Sequence, residues 1–191
     1  MYRNNLSGAE FWTSPHKAIT LLGMSGAGKT TLASRLPQRT WFHYSGDYRI
    51  GTRYLGEAIL DNAKREAMKS PLLAELLRSD SIYLCNNITV SNLKPLSGFL
   101  GMVGDPALGG LGIDEFKRRQ ALHRDAEVCS MLDVREFIDK SLEIYGYPHF
   151  INDAGGSLCE LDEPGVLEQL AEDTLIVYLK PSDEMLEKII E

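Results

Sequence analysis

A chain of 191 residues with 43% hydrophobic residues is long enough to bury a sizeable core, and its composition calls for no second domain. Twenty Lys and Arg against 27 Asp and Glu leave a net charge of −7, which excludes a broad basic field for nucleic acid or an anionic membrane. The stretch Met1 to Phe11 is polar and lacks the apolar core of a signal peptide, and no apolar run reaches the ~18 residues of a membrane span, so a cytoplasmic protein is expected.

In chain order, the run Ala18-Ile19-Thr20-Leu21-Leu22 predicts a strand over 17–22. It leads directly into Gly23-Met24-Ser25-Gly26-Ala27-Gly28-Lys29-Thr30, which fits G-x-x-x-x-G-K-[ST] at every fixed position. A short helix from about Lys29, with Leu32, Ala33 and Leu36 as its apolar residues, stops at Pro37. A second strand is expected over 40–44, then Ser45-Gly46-Asp47, then a helix from about Arg53 to Lys69 with Leu55, Ile59, Ala63 and Ala67 on one face. Ser70-Pro71 restarts the helix. Residues 96–113 interleave six glycines with Leu, Phe and Met and read either as a mobile loop that closes over substrate or as a connector of tight turns.

A helix from Asp114 to about Met131 carries Lys117, Arg118, Arg119, His123 and Arg124, which read as a solvated face or as contacts for an anionic substrate. Asp133-Val134-Arg135-Glu136 has the form of a capping box, opening a helix that ends at Gly146. Strands follow over 149–152 and 174–179, and a last helix with Met185, Leu186, Ile189 and Ile190 runs from Pro181 to Glu191 without a stop signal, so the chain looks cut short. The alternation of strands and helices predicts an α/β fold with a parallel sheet. Cys85, Cys129 and Cys159 lack C-x-x-C spacing and are expected as reduced thiols, mostly in the core. His43 and His149 fall within strands and read as structural.

The loop carries the chemistry. A nucleotide's phosphates need several backbone N–H donors converging on them, and glycine lets the backbone approach that closely. Gly23, Ser25, Gly26, Ala27, Gly28, Lys29, Thr30 and Thr31 are therefore the candidate nucleotide-binding residues. Lys29 neutralises the terminal phosphates, Thr30 offers a hydroxyl to Mg²⁺, and the following helix points its positive end at the same place. A glycine-rich strand-to-helix turn that binds nothing is the alternative.

The segment Gly23 to Thr31 resembles the phosphate loop of small-molecule and nucleotide kinases, a group that includes adenylyl-sulfate, shikimate and gluconate kinases. Gly46-Asp47-Tyr48-Arg49 is similar to the Gly-Asp-x-x-Arg pattern of adenylyl-sulfate kinases, with the Arg one position early, and Asp153-Ala154-Gly155-Gly156-Ser157 looks like the glycine-rich turn bordering the acceptor in shikimate and gluconate kinases.

The resemblance implies a three-layer phosphate-loop fold, one domain over 1–191, with a helical and Gly-rich cap-like insertion over about 70–146 between strands 2 and 3, and a lid and last strand beyond residue 191. It implies ATP and Mg²⁺, with Thr30 and Asp153 on the metal, and a small-molecule acceptor held by Asp47, Arg49, Arg53, Gly155 and Gly156. Lys29 and Asp47 would be the catalytic pair, Asp47 orienting an acceptor hydroxyl. Asp47 and Asp153 also fit ordinary strand-end turns, and Arg49 with Arg53 a solvated helix face. A kinase is thus the expected activity, and an ATPase or nucleotide-dependent switch without an acceptor is the other class.

Overall fold

The computed structural model describes residues 7–156, 158 and 163–182. Residues Met1 to Leu6, Ser157, Cys159 and the expected last helix beyond Ser182 lie outside the described residues. By its internal contacts the chain divides into two compact units, one made of residues up to Gly46 together with those from Glu127 onward, the other of Asp47–Ala126. The second unit begins and ends earlier in the chain than the 70–146 expected for an insertion.

In the first unit the four expected strands form as β1 (Lys17–Leu22), β2 (Trp41–Ser45), β3 (His149–Asp153) and β4 (Leu175–Tyr178). They pair in an all-parallel sheet of order β2-β3-β1-β4. Parallel strands buried on both faces alternate between two apolar environments. Ala18, Leu22, Tyr44 and Phe150 pack with Val134 of α8 (Val134–Glu143) and with Val166 and Leu170 of α9 (Pro164–Asp173). Leu21 and Ile151 pack on the opposite face with Ala33 of α2 (Lys29–Ser34), alongside Leu36, Trp41 and Val177. Leu32, expected on the apolar side of α2, is instead exposed, because a helix of one and a half turns presents only Ala33 squarely to the sheet.

One polar line crosses the first of those faces. Asn152 Nδ2 donates to Thr20 Oγ1 at 3.2 Å, and the hydroxyls of Thr20 and Thr174 stand 2.7 Å apart, all three residues being buried. Asn152 therefore does not interrupt the strand at random: its amide completes a ladder of side chains contributed by β3, β1 and the residue preceding β4. On the helices, Arg135 pairs with buried Asp173, whose carboxyl is pushed up by burial against the pull of the guanidinium.

The capping box expected at Asp133 does not form. Asp133 has helical backbone angles and makes no side-chain cap bond: α7 (Ile113–Leu132) runs almost directly into α8, with Asp133 N–H on Cys129 O at 3.1 Å, so the residue lacks the extended backbone of a helix N-cap. A capping box does form at Ser7 and Glu10 before α1 (Gly8–Thr13). Gly146 ends the segment after α8 in the left-handed conformation, as expected, with Gly146 and Tyr147 donating to the carbonyls of Leu142 and Ser141.

The second unit has its own core of Ile50, Leu55, Ile59, Leu96, Phe99 and Ala126. Its helix begins before Arg53: α3 (Gly46–Arg49) passes into a wide π-turn over Ile50–Tyr54, closed by Leu55 N–H on Ile50 O at 2.8 Å, and then into α4 (Gly56–Ala67). Leu55 and Ile59 are buried as expected, whereas Ala63 is exposed, because the buried stripe turns through Ala58 and Asn62 at 3.6 residues per turn. The helix restarts at α5 (Pro71–Arg78).

After α6 (Lys94–Leu100), the glycine-rich segment folds on itself, with Gly104 N–H on Leu111 O at 2.9 Å and Leu111 N–H on Met102 O at 2.8 Å. A Cβ on Gly110 would lie 2.6 Å from the Gly104 backbone, so two stretches of backbone are in close contact there. Cys85 and Cys129 are exposed rather than in the core, Cys85 on an irregular segment and Cys129 on the outer side of α7.

Arg119 corrects the reading of the basic cluster as a solvated face. It is buried, with Nε on Glu115 at 2.7 Å, Nη2 on Asn62 Oδ1 at 2.8 Å, Nη1 on Phe99 O, and its guanidinium over the Phe99 ring. Arg118 meets the same Glu115 from the exposed side, and the two guanidinium groups pull that carboxyl down to about 2.

Two outcomes follow from these contacts. Arg119→Ala leaves buried acceptors unmet and should cost about 2–4 kcal/mol in denaturant unfolding, against less than about 0.5 kcal/mol for Arg118→Ala. His149 has its pKa lowered, chiefly by burial and then by Lys17. The unfolded chain therefore takes up that proton first, and stability should fall as pH drops below the ordinary value of 6.5, a slope that His149→Gln should flatten.

Candidate functional site

The loop between β1 and α2 turns through three glycines with positive φ: Gly23 at +146°, Gly26 at +82° and Gly28 at +90°. At Gly28 a Cβ would meet no atom within 4 Å, so conformation and not space requires glycine there. Ala27 N–H closes a turn on Met24 O at 3.2 Å. Successive residues alternating between right- and left-handed regions turn their N–H groups toward one side, which makes a concavity suited to anions. Because α2 has only six residues, the loop N–H groups and Lys29 supply more of the positive potential than the helix dipole does.

Lys29 is buried to 7% exposure. Its Nζ donates to Gly23 O at 2.6 Å and to Met24 O at 3.0 Å, so the side chain folds back across the loop. Among the described residues no carboxylate lies within ion-pair distance of this ammonium. Carbonyl dipoles offset part of its desolvation, and among the described residues one of its three donors is left over. A buried cation in this state favours an anion. Ser25, Gly26, Thr30 and Thr31 are exposed around it, so the concavity opens to solvent.

Asp153 ends β3 opposite Leu21 of β1 and Ser45 of β2. Strand alternation places it with Ile151 on the α2 face, and it is buried. His43 of β2 shares that face, its Nε2 3.5 Å from Asp153 Oδ2.

The turn after Asp153 presses on the loop between β1 and α2, for a Cβ on Gly156 would lie 2.8 Å from Ser25 N and 3.0 Å from Ser25 Cα. Gly46, at the end of β2, is crowded likewise by Gly155 N at 3.3 Å and Met131 Cε at 2.9 Å. Three backbone segments thus converge at the carboxyl ends of β1, β2 and β3, the edge at which parallel α/β sheets bind ligands. Gly155 and Gly156, expected to border a substrate, have a packing role as well.

Asp47, Arg49 and Arg53 belong to the second unit. Asp47 follows the end of β2 and lies in the first turn of α3, Arg49 ends α3 with its guanidinium 5.7 Å from the Tyr54 ring, and Arg53 is exposed on the π-turn. The π-turn breaks the four-residue spacing that would stack Arg49 directly beneath Arg53 in an α-helix.

At the opposite, amino ends of β1 and β3, a small open groove is lined by Lys17, His149, Ser141, Tyr147 and Leu142, mostly through apolar atoms. It lies at the far end of the strands from the loop. Sequence reading missed the contact of His43 with Asp153 and the crowding of Gly46, for both depend on strand neighbours remote in the chain.

Gly156→Ala should cost about 1–3 kcal/mol in unfolding free energy, because backbone cannot yield as a flexible side chain would. Gly98→Ala in α6, where a Cβ meets nothing, should be neutral or stabilising by up to about 1 kcal/mol. Comparison of the chain with protein-family models, with curated proteins and with solved structures finds no match, and the functional reading therefore rests on the residues of this site.

Proposed function

We propose that the chain binds ATP with Mg²⁺ at the loop Gly23–Thr31 and is a kinase that transfers the terminal phosphoryl group to a small molecule. The observation that carries this reading is Lys29, a buried ammonium held on two loop carbonyls with no carboxylate partner among the described residues, in a loop of three positive-φ glycines. Backbone donors and one buried cation match the charge and size of phosphate groups. The sheet order β2-β3-β1-β4, with helices on both faces and the loop after the inner strand β1, fits a three-layer phosphate-loop kinase fold with its insertion between β2 and β3.

The donor set suits a hard cation beside phosphate: Thr30 provides an exposed hydroxyl and Asp153 a buried carboxylate. In this reading Thr30 and Asp153 hold Mg²⁺, directly or through water. The bound Mg-nucleotide supplies an activated phosphoryl group whose charge the metal offsets. Lys29 orients the terminal phosphates and stabilises the charge that develops on them. By the resemblance to the kinases, Asp47 is the candidate to accept the proton of an acceptor hydroxyl, and Arg49 and Arg53 the candidates for its anionic groups. No membrane-crossing role competes with this reading in the helices, since none of them, among the described residues, is long and apolar enough to span a bilayer.

Titration calorimetry with ATP, with and without Mg²⁺, tests the proposal. Lys29→Ala should weaken Mg-ATP binding by at least ~10-fold, the loss expected of a charge-assisted hydrogen bond worth ~1.5–3 kcal/mol, with the circular dichroism spectrum unchanged. Undiminished affinity in the folded variant would overturn the assignment of the loop. Phosphate release without any acceptor, at a rate comparable with binding-competent turnover, would favour an ATPase or switch over a kinase.

A further inference from the structure

His43 occupies an odd place for an imidazole. Its neighbours on that face of the sheet are apolar, namely Ile151, Leu21, Ala33 and Trp41, and a β-branched residue would suit the position. Its Nε2 is buried and, among the described residues, has no hydrogen-bond partner, which is costly for a group that water would otherwise satisfy. The polar atom it approaches is Asp153 Oδ2, at 3.5 Å. The pairing of β2 with β3 sets His43 opposite Ile151 and Ser45 opposite Asp153, so His43 reaches the carboxylate diagonally along the same face. Closing that gap by a few tenths of an ångström would convert the contact into a hydrogen bond.

We propose that His43 is a positioning residue for Asp153: its imidazole Nε2 faces Oδ2 and so commits the other carboxylate oxygen, Oδ1, to the divalent cation or to the cation's water. This assignment rests on the reading of Asp153 as a magnesium-holding residue. A carboxylate whose rotation is restrained by a second group binds a cation with less loss of freedom than one that must be oriented on binding. The role belongs to His43 as a hydrogen-bonding group and requires no change in its charge.

The test is calorimetry of ATP binding to the full chain across a series of MgCl₂ concentrations, for the parent, His43→Phe, His43→Gln and Asp153→Asn. His43→Phe should raise the Mg²⁺ concentration needed for half-maximal tightening by about tenfold, within the range seen when a ligand-orienting partner is removed, and leave Mg²⁺-free ATP affinity within about twofold. His43→Gln, which keeps an N–H at similar reach, should recover most of that loss. In an Asp153→Asn background, His43→Phe should add nothing further. If His43→Phe does not fold, His43→Val carries the same comparison, since valine favours strands and has no polar side-chain atom. Parental Mg²⁺ dependence in the folded Phe or Val variant, or an equal loss of affinity with and without Mg²⁺, overturns the assignment of His43 alone. A parent chain that binds no ATP overturns the nucleotide reading and this assignment with it.

Discussion

The register of β3 against β1, with Asp153 opposite Leu21, is the constraint on which the carboxyl edge of the sheet depends. In a strand, a slip of one residue exchanges the two faces. Here it would carry Asp153 into the apolar layer of Val134, Val166 and Leu170 and turn Asn152 toward α2. The buried ladder of Asn152, Thr20 and Thr174 opposes that slip, because displaced amide and hydroxyl groups would lose their partners where water cannot replace them. Phe150 and Ile151, buried on opposite faces, oppose it as well.

With the register held, the loop after β1 has little freedom. Its backbone is braced at Ser25 by Gly156 and at Gly23 by the strand-end residue Leu179, whose carbonyl would stand 2.6 Å from a Cβ there. Leu179 N–H also bonds Leu22 O at 2.8 Å. The loop is therefore held by neighbouring backbone on two sides, while Ser25, Gly26, Thr30 and Thr31 face solvent. Such an arrangement fixes the orientation of the loop N–H groups in advance, and for the proposed nucleotide it would lower the ordering cost of binding. Lys29 completes it, since its own hydrogen bonds to Gly23 and Met24 tie the cation to the loop whose dipoles it reinforces.

The second unit is organised around a different buried charge. Arg119 binds Glu115, Asn62 and the carbonyl of Phe99, and so ties α7 to α4 and to the end of α6. The adjacent glycine-rich segment closes on itself through Gly104, Leu111 and Met102. Met102 and Leu108 nonetheless stand at 80% and 87% exposure, so this segment contributes little apolar burial and its shape comes from backbone hydrogen bonds and glycine contacts.

What the sequence by itself determined is what short-range rules control. The four strands, the Gly23–Thr30 loop, the restart at Pro71 and the stop at Gly146 are set by apolar runs, glycine conformational freedom and the missing proline N–H, all of which act within a few residues. The places where reading failed are those where distant residues compete with local preference. Asp133 has a capping-box neighbour at Glu136, yet the continuing turn of α7 holds Asp133 in helical rather than extended backbone. Arg119 looks like surface charge until Phe99 and Asn62 enclose it. Only the tertiary structure decided that Asp153 and not Asn152 takes the α2 face, and that His43 and Asp153 meet. Parallel pairing joins strands separated by long crossovers, and no local pattern specifies which side chains will then lie side by side.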